Sequence, residues 1–267
     1  MEIIRSAQNS RIKNIQKLIA KSKERKEQNL FVVEGIRELS LALMGAYSFD
    51  SVFICPELFS ITDNPELFKN ISSKNLYEVS LPVFQKIAYR EFSDGIIALA
   101  KPESHTLDDL KLSDNPFIIV LESVEKPGNL GAILRTADAA NVDAVVVCDP
   151  LTDVYNPNVI RSSLGCVFTV PLAVASRTAT FSFLKEKRIK IFAAELSASQ
   201  WYQDTDFTQA CALIMGTESD GLTRFWIECA DARIKIPMQG KIDSLNVSVS
   251  TAILTFEAMR QRGFKSV

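Results

Sequence analysis

A chain of 267 residues with 47% hydrophobic content and a formal net charge of −2 at pH 7 has enough apolar surface for one large core or two modest ones. Its apolar runs fall far short of the roughly 20 residues that span a bilayer, and the opening MEIIRSAQNSRIKN lacks the apolar stretch of a secretory signal, so neither a membrane nor an exported protein is expected. The five cysteines are odd in number and include no CxxC, which argues against a disulfide scaffold and a structural metal and points to a reducing cytoplasm.

Asn9 to Lys26 reads as a helix with Ile12, Ile15, Leu18 and Ile19 on one face and lysines on the other. Over residues 1–26, Arg5, Arg11, Lys13, Lys17, Lys21, Lys23, Arg25 and Lys26 stand against Glu2 and Glu24, a local excess of +6. Such an excess suits contact with a phosphate backbone; a solvated helix face explains it equally well. Leu30 to Val33 reads as a short strand, and Glu34-Gly-Ile-Arg-Glu opens a helix to about Met44. Ser51 to Cys55 is a strand, Asn64 to Asn70 and Leu81 to Tyr89 are helical candidates, and Gly95 to Ala100 is a buried strand. This alternation predicts a small α/β domain over residues 1–100.

Residues 101–115 (KPESHTLDDLKLSDN) are polar, with Pro102 and Pro116 near their ends, and are expected to form a linker. The single histidine, His105, falls there and reads as solvated, which removes Ser-His-Asp and Cys-His hydrolysis. Residues 116–267 alternate again. Phe117 to Leu121 is a strand, a loop runs to Asn129, Leu130 to Ala140 is a helix and Val142 to Cys148 a strand. A turn-rich insertion, Pro150 to Ile160, precedes the strand Val167 to Val170, the helix Thr180 to Lys187 and the strand Ile189 to Ala193. Cys211 to Met215 and Ile234 to Met238 are short apolar runs of the kind covered on both faces. After Ser244, a helical period holds through Leu245, Val249, Ala252, Ile253, Phe256 and Met259. Six or so strands separated by helices predict a parallel, doubly wound α/β sheet, whose ligands bind beyond the carboxyl ends of the strands.

Three segments carry a more specific signal: Lys126-Pro-Gly-Asn-Leu-Gly-Ala-Ile-Leu-Arg135, Ile214-Met-Gly-Thr-Glu-Ser-Asp-Gly-Leu222, and Ile236-Pro-Met through Ser244-Leu-Asn-Val-Ser-Val-Ser250. In order and spacing they resemble the signature motifs of the SpoU/TrmH family of SPOUT-class RNA ribose 2′-O-methyltransferases, which use S-adenosylmethionine. The basic first helix followed by FVVEGIREL resembles the ribosomal-protein-like RNA substrate-binding domain often found ahead of that catalytic domain. The resemblance implies a C-terminal trefoil knot, a homodimer through the knot region, and rRNA more than tRNA as substrate. Lys126 departs from the family, where an acidic residue is common at that position.

Residue by residue, several readings compete. By type and place, Asn129 is a helix cap and Arg135 either snorkels to water or holds an anion. Gly128 and Gly131 open a helix after a strand, with Asp149 ending the next one, an echo of a dinucleotide or class I methyltransferase site; Gly-Asn-Leu-Gly nevertheless lacks the second glycine that admits a pyrophosphate. Gly216 and Gly221 form a turn that lets backbone approach a ligand, and Ser244 suits a cap. The resemblance implies catalytic roles for Arg135, Asn129, Glu218, Ser244 and Asn246, and cofactor contacts from Gly216, Gly221, Ile236, Met238 and Leu245. Since a guanidinium keeps its proton at neutral pH, the role expected of Arg135 is to hold the phosphate beside the target ribose and to stabilise the developing alkoxide. The competing function is a non-catalytic RNA-binding relative that keeps the fold.

Overall fold

The computed structural model describes residues 1–69, 71–217 and 219–264. They divide into two compact units, one of Met1–Glu103 with Asp153–Thr169, the other of Ser104–Thr152 with the described chain from Val170 onward.

In the first unit a five-stranded sheet is formed by β1 (Glu2–Ile4), β2 (Phe31–Glu34), β3 (Phe49–Ile54), β4 (Leu76–Val79) and β5 (Ile96–Ala100), in the order β1-β4-β3-β5-β2. β1, β4 and β3 run parallel, whereas β5 is antiparallel to both β3 and β2. The expected basic helix is two helices, α1 (Ser10–Ala20) and α2 (Ser22–Gln28), broken at the extended residue Lys21. The break has a physical cause: the buried Arg25 guanidinium folds back to donate to the carbonyls of Leu18 (2.6 Å) and Ile19 (3.3 Å) and pairs with Asp153 (2.7 Å). Those carbonyls belong to the last turn of α1, where no helical N–H reaches them. Arg25 therefore leaves the exposed basic set. Ile12, Ile15 and Leu18 do form the buried face of α1, packed with Val32, Phe53, Val79, Phe84 and Ile97. α3 (Ile36–Met44) follows β2 as expected, while the candidates Asn64–Asn70 and Leu81–Tyr89 shrink to a 3-10 turn at Pro65–Phe68 and the short α4 (Leu81–Phe84); Asn70 lies outside the described residues.

The segment Asp153–Thr169 includes the helix α6 (Pro157–Ser162). It is fastened by aromatic packing: Tyr155 stacks on Phe31 with ring centroids 4.1 Å apart, its hydroxyl lies 3.2 Å from that of Tyr47, and Phe168 completes the cluster. The expected strand at Val167–Val170 is instead a 3-10 turn, Cys166–Phe168, because Leu164 and Gly165 both adopt positive φ and aim Phe168 into that cluster.

The second unit holds a seven-stranded sheet of β6 (Phe117–Glu122), β7 (Ala144–Cys148), β8 (Leu172–Ala175), β9 (Lys190–Ala194), β10 (Gln200–Trp201), β11 (Cys211–Met215) and β12 (Ala232–Lys235). Its order is β10-β12-β9-β11-β6-β7-β8 with every pair parallel, a doubly wound arrangement served by α5 (Pro127–Ala139), α7 (Arg177–Glu186), α8 (Arg224–Cys229) and α9 (Val247–Gln261). Leu107, Leu110 and Leu112, from the stretch expected as linker, pack against this unit's core. His105 is half-buried, its carbonyl accepts the N–H of Val174 (2.8 Å), and burial lowers the pKa of its imidazole; it is not the solvated residue that composition suggested.

α9 packs on α5 and against β11. At its far end Arg262 donates to the carbonyls of Asn115 (2.7 Å) and Phe207 (2.8 Å), fixing it to the segments that lead into β6 and β11. Its buried residues are Thr251, Leu254, Thr255 and Ala258. The apolar series noted in the sequence lies mostly elsewhere, with Val249 46% and Phe256 41% exposed.

Candidate active site

Strand register brings the site together. Leu121 of β6 pairs with Met215 of β11, so the loops after these strands leave the sheet side by side at the point where strand order reverses. β6 ends in a carboxylate, Glu122, that is 1% exposed. It accepts the backbone N–H of Thr223 (2.8 Å) and the Thr223 hydroxyl (2.7 Å), with the Arg177 guanidinium at 3.4 Å. Arg177 also donates to Asp149 (2.9 Å). A buried charge is tolerable when hydrogen-bonded on this scale, and the bonds tie the loop after β11 to the end of β6. Sequence reasoning passed over Glu122; a carboxylate directly after a five-residue apolar strand was the available signal.

After β11 the chain turns tightly. Thr217 and Gly221 exchange backbone hydrogen bonds of 3.0 and 3.2 Å, Gly221 sits at φ +69°, and a Cβ on Gly216 would overlap the Gly221 carbonyl. This turn forms one wall of a cavity of about 530 Å³. The opposite walls come from residues 194–197 at and after the end of β9 and from the segment between β12 and α9. Gly216, Gly221, Ile236, Met238 and Leu245, all five expected cofactor contacts, line it, and so does Ser244. The volume lies within the ordinary range for small-molecule sites. Met215, Leu222 and Leu254 add apolar surface; Asp220 and Asp243 bring acidic groups and Lys235 a basic one, while Glu195 is paired with Arg233 (3.1 Å).

The other described catalytic candidates stand on α5 and at the start of α9. Asn246 caps α9, accepting the N–H of Ser248 (2.9 Å), and its amide donates to Asn129 Oδ1 (3.2 Å) in the first turn of α5. Arg135 is exposed, six residues further along α5, roughly 9 Å by helical rise. Glu218 lies outside the described residues. The dinucleotide alternative finds no support: nothing stands within 4 Å of a Cβ at Gly128, and Asp149 is engaged by Arg177.

The profile of the SpoU rRNA methylase family matches residues 116–256. The chain belongs to the SpoU rRNA methylase family. Ahead of this SpoU domain, residues 9–98 match the MRM3-like substrate binding domain. The SpoU chain is 30% identical over 257 residues, 96% of its length and 98% of the relative's, to the 23S rRNA (guanosine(2553)-2′-O)-methyltransferase RlmP of Bacillus subtilis. It is 41% identical over 174 residues to the 23S rRNA (guanosine-2′-O-)-methyltransferase RlmB of Escherichia coli, covering 63% of this chain and 72% of that one. Among solved structures, an AdoMet-bound rRNA methyltransferase from Sinorhizobium meliloti superposes with a TM-score of 0.89 at 26% identity, over 99% of both chains.

Proposed function

We propose that the protein is an S-adenosylmethionine-dependent RNA 2′-O-methyltransferase acting on a ribose of 23S rRNA, rather than on tRNA. The observation that carries this most directly is the cavity built from three separate loops, bordered by the Asn129–Asn246 contact. Gly216 and Gly221 would admit the cofactor close to backbone, while Ile236, Met238 and Leu245 would hold its adenosyl part. The chemistry that S-adenosylmethionine supplies when bound is an electrophilic methyl carbon, so the protein's task is alignment of a ribose hydroxyl. Arg135 holds the phosphate next to the target ribose and offsets negative charge growing on the 2′-oxygen. Asn129, Asn246 and Ser244 orient the groups around that oxygen, and Glu218 supports them. The first unit holds the RNA and the second transfers the methyl group, with the closing segment threaded as a trefoil knot.

The half-exposed apolar stripe on α9 supports a homodimer through this helix, and the buried or half-buried free cysteines support a cytoplasmic setting. A non-catalytic relative would bind RNA without turning over cofactor. Radiolabelled S-adenosylmethionine incubated with unmodified 23S rRNA and with tRNA transcripts decides the matter. Label is expected in the 23S transcript as alkali-resistant dinucleotide; RNA binding without label in either transcript defeats the proposal.

A further inference from the structure

In the first unit the loop after α4 presents two aromatic rings to solvent, Tyr89 at 40% and Phe92 at 89% exposure. Scattered apolar residues on a surface need no explanation, but these two are held in place. The buried carboxylate of Glu34 accepts the backbone N–H groups of Tyr89 (2.6 Å) and Arg90 (3.4 Å). The Arg90 guanidinium pairs with buried Glu38, and Asp94 accepts the N–H of Ile36 (3.1 Å). Gly35, at φ +106°, passes so close that a Cβ would overlap Glu38 and Arg90. The Glu34-Gly-Ile-Arg-Glu38 motif thus fastens both ends of a loop whose two rings reach solvent.

The surroundings are cationic. The exposed Arg161 guanidinium lies 5.9 Å from the Tyr89 ring centroid. Gln16 of α1 donates to the carbonyl of Lys86 (3.3 Å), which joins the loop to the face of α1 bearing exposed Lys13 and Lys17. Glu91 is the one acidic side chain exposed within residues 85–92. Aromatic faces beside cations are the chemistry that accepts an unstacked base together with its phosphates.

Building on the RNA methylation proposed above, we propose that Tyr89 and Phe92, flanked by Arg161, Lys86, Lys17 and Lys13, form a docking surface for an unpaired base and adjoining backbone of the RNA substrate. The test uses the full chain and an unmodified 23S rRNA transcript in filter binding over a salt series. Phe92→Ala and Tyr89→Ala are each expected to weaken binding about tenfold, the scale of one base–aromatic stack, leaving the salt slope unchanged. Lys17→Ala and Lys86→Ala should each reduce the slope of log K against log salt by about 0.7, the value for single strands. Phe92→Tyr, which keeps the ring, should bind as the parent does, and thermal unfolding of all variants should match it. In a 4-thiouridine-substituted transcript, the photo-crosslinked peptide should contain residues 86–92. Binding within twofold of the parent for both alanine variants overturns the proposal, as does failure of the parent to bind the transcript. It is also overturned if Phe92→Ala alters self-association while RNA affinity is kept. A parent that binds the transcript with these losses on substitution yet transfers no methyl group leaves the surface standing and removes the enzymatic reading instead.

Discussion

The amide of Asn246 donates to the side-chain oxygen of Asn129 across 3.2 Å, joining the first turn of α9 to the first turn of α5, 117 residues apart in sequence. The same Asn246 oxygen accepts the Ser248 N–H and hydroxyl, so one side chain both caps a helix and spans the site. Asn246→Asp separates these duties, because a carboxylate keeps the cap but has no N–H to give. We expect stability within about 0.5 kcal/mol of the parent and turnover reduced about tenfold. Asn246→Ala should lose a further ~1 kcal/mol of stability from the missing cap. Urea unfolding beside single-turnover methyl transfer distinguishes them; an Asp variant as active as the parent removes Asn246 from the site.

Arg135 is exposed on α5, with no role in packing the core. Arg135→Ala should therefore leave the unfolding midpoint unchanged while turnover falls by two or more orders of magnitude, the scale expected when a group stabilising a developing oxyanion is lost. S-adenosylmethionine affinity, read by calorimetry, should stay within about threefold. Arg135→Lys keeps the charge but not the two-pronged guanidinium and should recover only a small part of the rate. Full activity in the Lys variant would show that point charge alone suffices.

Val249 and Phe256 lie on one side of α9 and remain substantially exposed, although their helical period reads as that of a buried face. The proposed homodimer would cover this face. Light scattering should find a dimer for the parent and monomer for Phe256→Glu, since burying an unpaired carboxylate in an apolar contact is costly. A monomeric parent would end the dimer proposal without touching the cofactor cavity.

Strands buried on both faces were readable as continuous apolar runs, and Cys211–Met215 is found residue for residue as expected, whereas the run expected at Ile234–Met238 is the strand Ala232–Lys235, in which Ile234 alone is buried. β1, β4, β8 and β10 escaped notice, being two to four residues long and only partly buried. The break at Lys21 and the docking of Asp153–Thr169 were not legible either. Both rest on partners remote in sequence, Arg25 with Asp153 and Tyr155 with Phe31, which no local period encodes. The cavity-lining residues Gly216, Ile236 and Leu245 were singled out through motif resemblance, since apolar runs and glycine turns alone are compatible with many sites. Glu122 shows the complementary gap, a buried polar group whose partners Thr223 and Arg177 arrive from separate elements.

Gly216 has room for hydrogen only, because a Cβ would overlap the Gly221 carbonyl. Gly216→Ala must push Thr217 and Gly221 off their two mutual backbone hydrogen bonds, and both residues line the cavity. Loss of S-adenosylmethionine binding by about a hundredfold is expected, with a drop of about 1–3 kcal/mol in stability from overpacking. Gly128→Ala, where a Cβ meets nothing within 4 Å, is the matched control and should bind cofactor normally. Equal affinity in the two variants would show that the turn does not shape the pocket.

Cys148 closes β7 in the core, 3.1 Å from the Thr180 hydroxyl, and burial pushes its thiol up to about 12. An unfolded thiol ionises near 8.5. Between those values the unfolded chain binds fewer protons than the folded one, so this residue's contribution is intact below about pH 8.5 and is lost as pH rises towards 12. The loss approaches 1.4 kcal/mol per pH unit for one group. Cys148→Ala removes that dependence while costing about 1 kcal/mol near neutrality through the lost side-chain volume. Lysines, tyrosines and the other buried thiols titrate alike in both proteins, so the informative quantity is the difference between them. Urea unfolding at pH 7.5, 9 and 10 should show the parent's advantage shrinking with each step, whereas an advantage constant over that range would mean that the thiol ionises in the fold as readily as in the open chain.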